Sequence, residues 1–401
     1  MKILRVIATL DPRHGGPAAG LRAITPALTA LGHETTFATL DRPAEAQAFT
    51  AAGVVHAFGP ARGGFAYAPR LKPWLRAHAS DYDAVFVHGL WQYHGYAVRA
   101  ALRGKSTPYF VFPHGMLDPW FKQAYPLKHL KKWFYWQLCE RHVLRDAAAV
   151  FFTCDEERRL ARETFRPYQC AEQVVAYGTV APSLAALDQA NCWRQSMPAL
   201  SGRRFWLFLG RIHPKKGVDV LLKAYGEYAA ASESPPPALV IAGPCSDSQY
   251  RSSLARLEAA LPKSCQVVWP GMLEGPQKWG ALRCADAFVL PSHQENFGIA
   301  VVEALAVGTP VLISRKVNIW AEIEQAVAGL ADTDDVAGTV RLLQAWSATA
   351  PADRQQMSAA ASALFKERYE IGRVAASLVQ SVMTHTRKSG SDRRATAATV
   401  S

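Results

Sequence analysis

Short, continuously apolar runs alternate along this chain with segments whose apolar residues recur at helical spacing, and no other feature constrains the fold as tightly. One series of runs comprises Ile3–Thr9, Thr35–Leu40, Ala84–His88, Tyr109–Pro113, Ala148–Thr153 and Gln173–Ala176. A second comprises Phe205–Gly210, Ala238–Gly243, Gln266–Trp269, Ala287–Leu290 and Pro310–Ser314. Runs that are apolar throughout predict parallel strands buried on both faces. Their alternation with helices predicts βαβ units in doubly wound sheets. Two such series in 401 residues predict two α/β domains. The poorly periodic stretch 181–204 reads as the connection between them, and SESPPPA at 232–238 as a surface loop. From Arg387 onward apolar periodicity is lost, which predicts a disordered tail. Pro26 falls inside a helical stretch and predicts a kink or break.

A formal net charge of +12 and a pI near 9.4 favour anionic partners, whether nucleic acid, phosphorylated small molecules or an anionic membrane surface. No zinc-finger spacing, RNA-recognition signature or helix-turn-helix pattern is present, which argues against nucleic acid. The seven cysteines are scattered, odd in number and without metal-ligand spacing, as expected of reduced thiols in a cytosolic protein. The opening apolar run reads as a first strand and not as a signal peptide. No run approaches the roughly 18 residues of a membrane span. A cytoplasmic protein, either soluble or peripheral at the inner face of the cytoplasmic membrane, is the expectation.

Five motifs carry possible chemistry. Gly15-Gly16-Pro17 follows the first strand and opens a helix, where backbone N–H groups can meet an anion, or it is an ordinary turn. Arg211 ends a strand and Lys216 opens the next helix. A planar fork and a point charge at the carboxyl edge of a sheet suit a diphosphate, the alternative being two solvated cations. Glu295 follows a strand in a loop, and Glu303 lies eight residues later inside a helix opened by Asn296-Phe297-Gly298. Carboxylates accept from sugar hydroxyls, and the helix opening presents N–H donors. His88 and His114 follow apolar strands, so each either faces a cleft or serves the structure. Tyr125–Ala147 reads as an amphipathic helix. Lys128, Lys131 and Lys132 line one side, Leu127, Leu130, Phe134 and Leu138 another, with Trp133, Tyr135 and Trp136 interleaved. That pattern suits anionic lipid headgroups, or a core helix with a basic solvated face. Asp81-Tyr82-Asp83 and Asp332-Thr333-Asp334 have metal-site spacing but read as surface carboxylates.

Taken together, Gly15-Gly16-Pro17, Gly32-His33-Glu34, Gly210-Arg211 with Lys216-Gly217, Ala242-Gly243-Pro244 and ENFGIAVVEALAVGTPV resemble the family 4 (group 1) glycosyltransferases, over about residues 3–330. HGLWQYHG and PHGMLDPW further resemble bacterial members that build exopolysaccharide or lipopolysaccharide. The resemblance implies a GT-B fold of two Rossmann-like domains facing across a central cleft. It implies an acceptor-side domain at 1–185, a donor domain at 204–365, and a helix at 366–386 packing back on the first. Arg211 and Lys216 would bind a nucleotide-sugar diphosphate, Glu303 the ribose, Glu295 the transferred sugar, and the Asn296–Gly298 backbone would cradle it. Gly16, beside Gly15, would let its loop close over the donor, and His114 would stand near the donor sugar. The reaction implied is hexosyl transfer with retention, without a cofactor or metal, to a saccharide or lipid-linked saccharide. Because the family it resembles generally lacks an agreed nucleophile beneath the anomeric carbon, we favour front-face attack with the leaving diphosphate assisting deprotonation. An epimerase or phosphorylase of the same fold is the alternative.

Overall fold

The computed structural model describes residues 1–11, 16–182, 185–200 and 202–398, less the side chains of 50–52, 123 and 387–398. The chain divides into two compact units, Met1–Gly178 with Ile371–Ser401, and Thr179–Glu370. The first is built on β1 (Lys2–Ile7), β2 (Glu34–Thr39), β3 (Val54–Ala57), β4 (Ala84–His88), β5 (Tyr109–Phe112), β6 (Ala149–Phe152) and β7 (Glu172–Val174). They form one parallel sheet in the order β3-β2-β1-β4-β5-β6-β7. The second unit holds β8 (Phe205–Leu209), β9 (Ala238–Ala242), β10 (Val267–Gly271), β11 (Ala287–Leu290), β12 (Val311–Ser314) and β13 (Gly329–Asp332). Its parallel order is β10-β9-β8-β11-β12-β13.

The apolar runs form these strands because helices cover both faces of each sheet. In the first unit Leu4, Val6, Val85, Val87, Val111 and Val150 pack on one side against Leu71, Leu75, Ala97, Val98 and Trp136. The alternate residues Ile3, Phe86, Phe110, Phe112 and Phe151 pack on the other side against Ile24 and Leu28. Ile371, Val374, Ala375, Leu378 and Val382 of the last helix complete that second cluster. Each large apolar side chain so buried contributes about 1.5–3 kcal/mol.

The stretch expected to be a connection contains the helix Ala186–Ser196, whose Gln189, Ala190 and Trp193 are buried. It lies so close to the helix Gly275–Cys284 that a Cβ at Gly280 would run into the Gln189 carbonyl. Its apolar stripe is only Ala190 and Trp193, too narrow to register as periodicity. The helix Ile371–Ala398 runs through most of the residues expected to be a disordered tail. Extending a helix already docked by Ile371–Val382 costs far less than nucleating one. The helix Gly16–Ala30 continues across Pro26 without a break. Tyr125–Ala147 is helical, but as Pro126–Tyr135, a π-helical turn Trp136–Glu140 and Arg141–Arg145. The π turn carries Trp136 and Glu140 inward.

In a doubly wound sheet ligands bind outside the carboxyl ends of the strands where the order reverses. Those points are β1/β4 in the first unit and β8/β11 in the second.

Candidate active site

In the second unit, β8 ends at Leu209 and hands over to Gly210 and Arg211. Gly243, after β9, has φ +140°, and a Cβ there would strike the Gly210 carbonyl oxygen. Glycine is thus required where these two strand ends close together. Lys216 ends a short turn, and Gly217 caps it with φ +69°, tight against the Pro291 carbonyl. Lys216 carries a side chain only 17% exposed and contacts the Glu295 carboxylate. Burial, Lys215 and Arg211 push its ammonium down to about 7, while Glu295 pulls the opposite way; with that carboxylate in contact we take Lys216 as charged. The His213 imidazole is lowered too, by burial and then by Arg211, Lys215 and Lys216. Three cations therefore crowd the end of β8, and an anion arriving there relieves their repulsion.

After β11, Glu295 is held by its backbone: its N–H donates to Lys316 O (2.9 Å) and its carbonyl accepts from Asn318 N–H (3.0 Å). Asn296 and Phe297 lead to Gly298, whose φ of +79° starts the helix Ile299–Ala306. The Phe297 ring is buried edge-on to Tyr369 (centroids 5.6 Å apart), which takes its side chain out of reach of a ligand. Glu303 projects from this helix onto Lys278 Nζ, 2.7 Å away. Lys278, from the helix Gly275–Cys284, was not singled out from the sequence because nothing local marks it. His293 Nδ1 lies 2.8 Å from Asp334, and Arg341 clamps Asp332 at 2.6 and 2.9 Å. That carboxylate pair is thus engaged within the protein and not simply solvated. In the other pair, Asp83 accepts from the Lys2 N–H at 2.7 Å.

In the first unit, Gly16 opens the helix after β1, and a Cβ on it would meet no described atom within 4 Å. Gly15 lies outside the described residues. His88 ends β4, and His114 follows β5 with φ +52°, a left-handed conformation costly for a side chain other than glycine. What holds it there is Glu157. Its carboxylate accepts from Gly115 N–H (2.6 Å), Thr153 N–H (2.7 Å) and the Thr153 hydroxyl (2.7 Å). His88 Nδ1 and His114 Nε2 are 3.1 Å apart, and His88 Nε2 meets Arg5 Nη1 at 3.1 Å. His94 Nε2 donates to the His88 carbonyl at 2.9 Å. Burial, Arg5 and the neighbouring histidines push His88 well below its ordinary range, while burial and Arg5 take His114 to about 3. Both rings are neutral at physiological pH. Arg5, a charge inside an apolar strand, is the signal that could have exposed this cluster from the sequence.

On the helix Pro126–Tyr135 no residue is buried. Leu127 is 83% exposed and Leu138, in the following turn, 81%; Leu130, Trp133 and Phe134 are exposed as well. The apolar side of the segment thus faces outward, against the core-helix alternative. Lys128 and Lys131 are exposed, with Lys128 Nζ 4.8 Å above the Tyr125 ring. Lys132 departs from the expectation. It turns inward, half-buried, with its ammonium over the rings of Trp91 (4.8 Å) and Phe121 (5.4 Å).

Residues 191–362 match the model described as "Glycosyl transferases group 1", and residues 15–178 the "Glycosyl transferase 4-like domain". The chain is 27% identical over 231 residues to a D-inositol 3-phosphate glycosyltransferase of Rhodococcus erythropolis, covering 56% of this chain and 51% of that protein. It is 31% identical over 159 residues to an uncharacterized glycosyltransferase of Methanocaldococcus jannaschii, covering 38% and 39%. The chain thus spans about half or less of the length of these curated relatives. Among solved structures it resembles Anabaena Alr3699/HepE in complex with UDP and glucose, with TM-score 0.74, 17% identity, and coverage of 96% of this chain and 100% of that one. It also resembles sucrose-phosphate synthase from Thermosynechococcus elongatus, with TM-score 0.70, 17% identity, and coverage of 96% and 99%. With two parallel-sheet units and both halves matched by glycosyltransferase models, this chain belongs to the group 1, family 4 glycosyltransferases of the GT-B fold.

Proposed function

We propose that this protein transfers a sugar from a nucleotide-sugar donor to a saccharide or lipid-linked saccharide, with retention at the anomeric carbon and without a metal. The observation that carries the reading is the cation cluster Arg211, Lys215 and Lys216 at the end of β8, at the reversal of strand order. Family membership and the UDP and UDP-glucose complexes of the Anabaena protein support a nucleotide-sugar donor. Arg211 and Lys216 bind the diphosphate and stabilise the charge it gains as the glycosidic bond breaks. They take the part a divalent cation plays elsewhere. Glu303, oriented by Lys278, accepts from the ribose hydroxyls, and Glu295 accepts from the transferred sugar while the 296–298 backbone supports it. In the front-face reaction the acceptor hydroxyl loses its proton to the leaving phosphate oxygen as the new bond forms. His114 donates a hydrogen bond to the donor sugar.

The exposed stripe Leu127, Leu130, Trp133, Phe134 and Leu138, flanked by Lys128 and Lys131, supports docking on an anionic membrane that carries a lipid-linked acceptor. Cell-surface polysaccharide synthesis, exopolysaccharide or lipopolysaccharide, fits that acceptor class. No helix among the described residues is long and apolar enough to cross a membrane.

The test incubates the protein with UDP-, GDP- and ADP-sugars, with and without lipid-linked saccharides, and follows nucleoside diphosphate release and product configuration by proton NMR. Acceptor-dependent release with the anomeric configuration kept, unchanged by EDTA, is expected. An isomerised sugar nucleotide formed without acceptor would mark an epimerase and overturn the reading.

A further inference from the structure

Arg5 is a charge in a place that charges avoid. It is 1% exposed, in the middle of β1, and no carboxylate among the described residues pairs with it. Its guanidinium lies 5.0 Å over the Phe86 ring and, among the described residues, makes one hydrogen bond, to His88. Nε and Nη2 have no hydrogen-bond partner among the described residues. A buried cation so poorly compensated costs stability. Arrangements that break packing rules in this way concentrate at functional sites.

The geometry fixes the protons. A guanidinium only donates, so His88 Nε2, 3.1 Å from Arg5 Nη1, must accept. A neutral His88 then carries its hydrogen on Nδ1 and donates to His114 Nε2, 3.1 Å away. His114 Nε2 is thereby an acceptor, and the His114 hydrogen sits on Nδ1. Three elements supply this chain: β1 gives Arg5, β4 gives His88, and the loop after β5 gives His114. His94 steadies its middle by donating to the His88 carbonyl. The pairs Arg5↔Phe86, Ile7↔His88 and His88↔Phe112 hold the donors and acceptors in line.

We propose that Arg5, acting through His88, is a positioning residue that locks His114 in its Nδ1–H tautomer, so that His114 meets a substrate oxygen as a hydrogen-bond donor. The last clause rests on the reading above that His114 faces the donor sugar; the tautomer lock does not.

Long-range proton–nitrogen correlation spectra of histidine-labelled, full-length protein read the tautomer directly, with His114→Gln assigning the signals. Wild type should show His114 as Nδ1–H. Arg5→Met should give a mixture or the Nε2–H form, with kcat/KM down about tenfold through kcat, as for one lost hydrogen bond. It should melt no lower than wild type, whereas a merely structural arginine would lower Tm. His88→Gln should preserve the tautomer, since its carbonyl can accept from Arg5 and its amide can donate to His114. His88→Leu should not, and that comparison carries the test if Arg5→Met fails to fold. An Nε2–H His114 in wild type, or an unchanged tautomer in both Arg5→Met and His88→Leu, overturns the proposal. If the tautomer behaves as expected but His114→Ala keeps full activity, the lock stands and the placing of His114 at the sugar falls.

Discussion

Before any ligand binds, Lys216 and Glu303 each hold an opposite charge, Glu295 and Lys278 respectively. Under the proposed function a donor substrate exchanges these internal partners for its own oxygens and hydroxyls, and the pairs keep the side chains oriented until it does. Lys278→Met would leave Glu303 partly buried and unpaired; we expect stability to fall by about 1 kcal/mol and the donor KM to rise, read by thermal denaturation and initial rates. Gly217→Ala combines a left-handed φ with a collision against Pro291. It should destabilise by more than about 1 kcal/mol, seen as a lower denaturant midpoint, whereas an unchanged midpoint would mean the turn can relax. As candidates, Arg211, Lys216 and Glu295 were legible in the sequence because glycines mark their loops, and Glu303 because it falls within the motif that Glu295 opens. Arg5, Glu157 and Lys278 were not. Their roles depend on partners 83, 42 and 25 residues away, which only the sheet order brings together.

The interior strands announced themselves, since β4 and β8 are buried at every residue and read as unbroken apolar runs. Of the four edge strands, β7 and β10 were read from their apolar runs, but β3 and β13 were not. β3 is half-exposed and β13 is the four residues GLAD, so neither contrasts with its surroundings. β10 is also an edge strand and tolerates Pro270 for that reason. The basic aromatic helix was visible as an amphipathic pattern, but nothing local in the sequence marked its outward-facing apolar side or its π turn. Here the expected outcome separates two lysines. Replacing Lys131 by alanine should weaken sedimentation with phosphatidylserine vesicles and leave Tm unchanged. Lys132→Ala should lower Tm, because its ammonium rests on Trp91 and Phe121. Leu127→Ser with Leu138→Ser should abolish vesicle binding; full retention would remove the membrane from the account.

Across the whole molecule, buried ionisable groups set opposing pH limits. Burial pushes the Glu140 carboxyl up to about 8 from an ordinary 4.5. The folded chain therefore keeps a proton the unfolded chain has lost, so this stabilisation is complete below about 4.5 and disappears as pH rises through 8. Burial lowers His94 to about 4 and His114 to about 3 from 6.5. Their contribution is complete above 6.5 and disappears as pH falls toward those values, since only the unfolded rings take up protons. Glu140→Gln should flatten the loss of stability between pH 6.5 and 8, by up to about 1.4 kcal/mol per pH unit relative to wild type. Parallel Tm–pH curves for the two proteins would contradict it. The same scale holds the central claim, that the cations after β8 form a diphosphate site. Calorimetric titration of the intact protein with UDP, GDP and ADP, each against its monophosphate, measures it directly. We predict that one diphosphate binds at least about tenfold tighter than its monophosphate, equally well in EDTA, and that Arg211→Ala with Lys216→Met erases the preference. Equal affinity for mono- and diphosphate, or an undiminished preference in the folded double variant, would contradict the account.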